Sequence, residues 1–82
     1  MSRYVQRDGS IEIAYGFDHM PMGGYFFQVY DSSKITEENE EGIVLNEGFV
    51  GGISKSRMFD LMTEYKIKNE EHLQLVALDL PI

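Results

Sequence analysis

Gly24-Tyr25-Phe26-Phe27-Gln28-Val29-Tyr30-Asp31 is the most apolar and most aromatic run in the chain. Four of these eight residues are aromatic, proline is absent, and no charge appears before Asp31. A short run of this composition reads as a β-strand buried on at least one face. Alternation sets Tyr25, Phe27 and Val29 on one face and Phe26, Gln28 and Tyr30 on the other. Aromatics on both faces predict an interior strand, or a sheet whose second face meets something.

Upstream, Tyr4 to Arg7 and Ser10 to Tyr15 flank Asp8-Gly9. Asp-Gly suits a type I′ hairpin turn, which takes positive φ at both central residues. The predicted register pairs Arg7 with Ser10, Gln6 with Ile11, Val5 with Glu12 and Tyr4 with Ile13. It places Tyr4, Ile11, Ile13 and Tyr15 on one face, and Val5, Arg7 and Glu12 on the other, with Arg7 diagonal to Glu12. Gly16 to Gly23 reads as a loop marked by Pro21 and carrying Asp18, His19, Met20 and Met22. The run at Tyr25 then returns antiparallel beside the second strand.

Downstream, Ser32 to Gly42 contains Glu37-Glu38-Asn39-Glu40-Glu41, a self-repelling tract that reads as an exposed loop with a short helical turn begun by Thr36. Ile43-Val44-Leu45 is a brief return strand, Asn46 to Gly48 a turn, and Phe49 and Val50 re-enter the core. Ser54 is the N-cap of a first helix, with Ile53 and Met58 at the hydrophobic-staple positions. Met58, Leu61, Met62 and Tyr65 form one apolar stripe that Phe59 widens. Glu64 and Lys68 fall at the spacing of a helical ion pair. Asn69 caps a second helix with Glu70 and Glu71 in its first turn, where the helix dipole favours acids. Its stripe is Leu73, Val76, Ala77 and Leu80, and Pro81 ends it. A strand through residues 73–77 is the competing reading.

The predicted fold is therefore α+β in a single domain over residues 1–82. A small antiparallel sheet of three to four strands (about 3–7, 10–17, 24–31 and 43–46) precedes two short helices (about 54–66 and 69–78) packed on one face.

Charge bounds the function. The net charge is −7 over 82 residues. Nearly all of it lies between residues 8 and 53, where nine acids face Lys34 alone. Phosphate binding needs a basic face, so direct nucleic-acid binding is disfavoured. With no cysteine there is neither a disulfide nor a thiol nucleophile, in keeping with a reducing compartment. The N-terminal residues lack the apolar core of a secretory signal, and no apolar run is long enough to span a membrane. A cytoplasmic protein is expected.

No constellation of catalytic residues emerges. The two histidines, in Asp18-His19 and Glu71-His72, lack metal-ligand spacing, so no metal or cofactor is expected. No serine sits in a nucleophile-elbow pattern, and Ser54 is accounted for as a cap. Gly51-Gly52-Ile53-Ser54-Lys55-Ser56-Arg57 is a glycine turn entering a helix. Ser54, Lys55, Ser56 and Arg57 could cradle a small anion there, although the phosphate-loop spacing is missing.

Three non-catalytic readings follow. The first is an interaction module whose acids, Asp18, Asp31, Glu37, Glu38, Glu40, Glu41 and Glu47, engage a basic protein surface. Spaced carboxylates of this kind can imitate a nucleic-acid backbone, which makes a nucleic-acid-binding protein a natural target. The second is a homodimer. Ten aromatics and five methionines exceed what one thin sheet and two helices must bury, and tyrosine and methionine on a surface favour protein contacts. The third is the anion binder at Ser54 to Arg57. In size, acidity and lack of a catalytic motif the chain resembles small acidic accessory proteins of phages and mobile elements, including anti-CRISPR-type inhibitors. That resemblance implies an inhibitor acting by protein contact.

Overall fold

A computed structural model describes residues 2–19, 23–48 and 51–82. The expectations for Met20, Pro21 and Met22, and the core role of Phe49 and Val50, lie outside the described residues. Four strands form one antiparallel sheet in chain order: β1 (Tyr4–Asp8), β2 (Ile11–Phe17), β3 (Tyr25–Asp31) and β4 (Ile43–Glu47). Two helices follow, α1 (Lys55–Glu64) and α2 (Glu70–Ala77). The α+β architecture is the expected one, and the 73–77 strand is replaced by helix.

The aromatic run is β3, an interior strand between β2 and β4. It sets Tyr15 opposite Phe27 and Ile13 opposite Val29 on the face that receives the helices. Ile13, Tyr15, Tyr25, Phe27 and Val29 from the sheet meet Met58, Leu61, Met62 and Val76 from the helices in one buried cluster. Ile67 and Ile82 close that cluster from the chain segments after α1 and α2.

The hairpin register differs from the expectation by two residues. Asp8 pairs with Ile11, Arg7 with Glu12 and Tyr4 with Tyr15. The tip is Gly9-Ser10, and Gly9 has a φ of 62°. Positive φ at only the first central residue is the type II′ requirement, and it relieves Asp8 of a conformation that costs a residue with a Cβ. A two-residue slip preserves side-chain parity, so the predicted faces stand. Arg7 now lies directly opposite Glu12, and its Nε donates to Glu12 Oε1 at 2.6 Å.

The second face carries no helix, yet Ala14, Phe26 and Gln28 are buried there. Gln28 Oε1 accepts from Arg3 Nη1 at 2.9 Å, and its amide nitrogen faces Asn46 Oδ1 at 3.4 Å. Gly16 makes room for this covering. A Cβ at that position would stand 2.2 Å from the Ser2 carbonyl oxygen and 3.0 Å from Phe26 Cζ. The Ser2 hydroxyl donates to the Ile82 carbonyl oxygen, joining the first and last described residues.

The helices begin where the caps predict. The Ser54 hydroxyl accepts from the Arg57 amide at 3.2 Å, and Asn69 Oδ1 accepts from the His72 amide at 3.1 Å. Met58, Leu61 and Met62 are buried in α1, with Tyr65 half-buried behind them. Three details depart from expectation. α1 stops at Glu64, with Lys66 at a φ of 56°, so Lys68 is outside the helix and does not meet Glu64 along it. Phe59 points outward. α2 buries Val76 and half-buries Leu73 and Leu75, whereas Ala77 and Leu80 are exposed. Asp79, at a φ of 58°, turns the chain before Pro81 and brings Ile82 back into the core.

Among the described residues, no helix is long and apolar enough to cross a membrane.

Candidate acidic interaction site

The loop from β3 to β4 is built by short polar side chains. Asp31 ends β3, and its Oδ1 accepts from the Ser33 amide at 2.9 Å and the Ser33 hydroxyl at 2.6 Å. That starts a 3-10 turn over Ser32–Lys34, so the local helix begins at Asp31 and not at Thr36. Thr36 and Asn39 instead exchange backbone hydrogen bonds, at 3.0 and 3.2 Å. The Asn39 side chain donates to the Ile43 carbonyl at 3.0 Å and accepts from the Ile43 amide at 3.1 Å. One amide side chain thereby imitates a neighbouring strand and fastens the loop to the start of β4.

This fastening holds the tract in a defined shape. Glu37, Glu38, Glu40 and Glu41, with Asn39 and Ile43, line a hollow of about 400 Å³. All four glutamates are exposed. Ile35, Ile43 and Val44 are exposed as well, so apolar surface borders the carboxylates.

The seven acids of the sequence reading fall into two groups. Asp31 and the four loop glutamates gather at one end of the sheet. Asp18 follows β2 and Glu47 ends β4 opposite Phe27, so both lie toward the other end, about 23 Å and about 13 Å along the strands from Asp31. Asp31 is occupied as a cap. The Ser33 hydroxyl and amide, helped by Ser10, hold its carboxyl below the ordinary range. Glu47 is occupied by Arg57, whose Nε lies 3.0 Å from Oε1 and whose Nη2 lies 2.5 Å from Oε2. Those hydrogen bonds hold Glu47 below, and Arg57 above, their usual values.

The same pair changes the reading of Ser54 to Arg57. The Ser54 hydroxyl serves the Arg57 amide, and the Arg57 guanidinium already holds the protein's own carboxylate. Lys55 and Ser56 are exposed beside it.

The histidines stand apart from each other. The His72 ring lies with its centroid 4.2 Å from that of Tyr4, and its Nδ1 shares a 2.6 Å hydrogen bond with the Tyr15 hydroxyl. Burial raises the Tyr15 pKa above its ordinary value, with Tyr4 adding to the effect. His19 packs edge-on against Phe17. Among the described residues, no group of three or more histidine or acidic side chains converges as a metal site.

The surplus of aromatics is largely absorbed by the core. Among the described residues, Phe59 is the one exposed aromatic. Spacing marks it as part of the α1 stripe, and only the tertiary packing reveals that it faces out. Comparison with known protein families, curated proteins and solved structures finds no match for the chain.

Proposed function

We propose that the protein is a non-enzymatic interaction module whose β3–β4 loop binds a basic protein surface, with a nucleic-acid-binding protein as the partner class. The observation that carries this reading is the hollow shared by Glu37, Glu38, Glu40, Glu41 and Ile43. Among the described residues, the two ion pairs are Arg7–Glu12 and Arg57–Glu47, and neither takes a glutamate of the loop. Four like charges within five residues repel one another, and an approaching cation relieves that repulsion. An arginine or lysine suits the hollow twice over: its aliphatic stem can lie on Ile43 while its charged end meets the carboxylates.

The reading implies fast, salt-sensitive association, because screening acts within about 8 Å at physiological ionic strength. A short arginine- and lysine-rich peptide titrated against the labelled protein should shift the amides of residues 36–43 first. Replacing Glu37, Glu38, Glu40 and Glu41 by glutamine should remove those shifts. Shifts spread evenly over all acidic surfaces, or unchanged in the glutamine variant, would reject this loop as the site.

A further inference from the structure

On the other side of the molecule a second hollow, of about 310 Å³, opens between α1 and α2. Lys55, Ser56, Phe59 and Asp60 line it from α1, and Val76 and Ala77 from α2. Phe59 is 39% exposed. An aromatic ring left in water beside a hollow walled by small and apolar side chains is an incomplete contact.

We infer that a second copy of this chain completes it, in a symmetric dimer in which each Phe59 enters the α1–α2 groove of the other copy. Three features select this occupant. A two-fold contact uses one patch twice, so the patch must complement itself. This patch does so in shape, since it carries both an exposed aromatic ring and a hollow lined by Ser56, Val76 and Ala77. It does so in charge, since Lys55 and Asp60 carry opposite signs at the rim. A two-fold axis passing between them sets each Lys55 over the other copy's Asp60. The patch also lies in the part of the chain where self-repulsion is weakest. Residues 54–82 carry five acids and four bases, against a net charge of −7 for the whole chain. The acidic loop takes no part in the contact, so the inference is independent of the function proposed above.

Sedimentation equilibrium over a wide concentration range tests it with three variants. Wild type should move from monomer to dimer as concentration rises. Lys55→Asp and Asp60→Lys each place like charges across the axis and should weaken the dimer about tenfold or more. The double variant Lys55→Asp/Asp60→Lys restores opposite charges and should dimerise like wild type. Both positions are exposed, and an acid at the first position of α1 suits the helix dipole, so the monomer fold is spared. A wild type that stays monomeric throughout overturns the inference. So do single variants that dimerise normally, or a double variant that fails to recover.

Discussion

Glu47 and Arg57 grip each other through both carboxylate oxygens, ten residues apart, and tie the end of β4 to the first turn of α1. In the sequence these two residues point to opposite kinds of ligand. In the structure each is the ligand of the other. Glu47→Gln should therefore lower thermal stability slightly, and added salt should shrink the difference, since the pair is partly exposed. The pH dependence has a definite sign. The folded pKa of Glu47 is depressed, so its contribution is present above the ordinary carboxylate range and is lost as pH falls through the depressed value. Thermal melts from neutral to acid pH should show wild type and Glu47→Gln converging. A constant gap between them would count against the pair.

Gly16 is a second place where one atom decides the packing. Gly16→Ala would push a methyl group against the Ser2 backbone, with the Phe26 ring on its other side. Backbone cannot yield as a flexible side chain can. The variant should lift Ser2 from Phe17 and from Ile82, and should lose about 1–3 kcal/mol, the usual cost of overpacking. Chemical denaturation gives the loss, and amide exchange at Phe17 reports the detachment. Wild-type stability in this variant would mean that the N-terminal segment does not cover the second face.

Two buried tyrosines predict the alkaline limit. Burial raises Tyr15, and burial together with Asp79 raises Tyr25, whose hydroxyl donates to the Leu80 carbonyl at 2.6 Å. A raised folded pKa keeps its stabilising share below the unfolded value of about 10 and loses it as pH rises through the folded value. Denaturant midpoints should therefore fall steeply above about pH 10. Tyr15→Phe should make that fall shallower while costing about 0.5–1.5 kcal/mol at neutral pH for the lost bond to His72. An identical alkaline slope in both proteins would contradict the burial of Tyr15.

The fold was legible where local rules act alone. The strand period grouped Tyr15 with Ile11 and Ile13, and Phe27 with Tyr25 and Val29, even though the hairpin register is two residues off; which face the helices cover was not legible. Ser54 and Asn69 announced both helices, because a cap needs only the next three residues. The tertiary relationships were not legible. Phe59 fits the α1 stripe by spacing, yet it stays exposed because it borders an open hollow between α1 and α2 instead of entering the core. Leu80 fits the α2 stripe and leaves it because the chain turns at Asp79. The candidate site divides on the same line. The tract from Glu37 to Glu41 is continuous in sequence and stays together in space. Asp31 and Glu47 were marked by charge alone, and each is occupied by a partner that charge does not reveal.

The comparison closest to the central claim is a pull-down from the native host. Wild type would be run beside a variant with Glu37, Glu38, Glu40 and Glu41 all changed to lysine, over a series of salt concentrations. Circular dichroism should first show both proteins equally folded, since all four positions are exposed. The account predicts that wild type retains a basic protein, releases it as salt rises, and loses it altogether in the lysine variant. Retention of the same protein by the lysine variant, at the same salt, would contradict it.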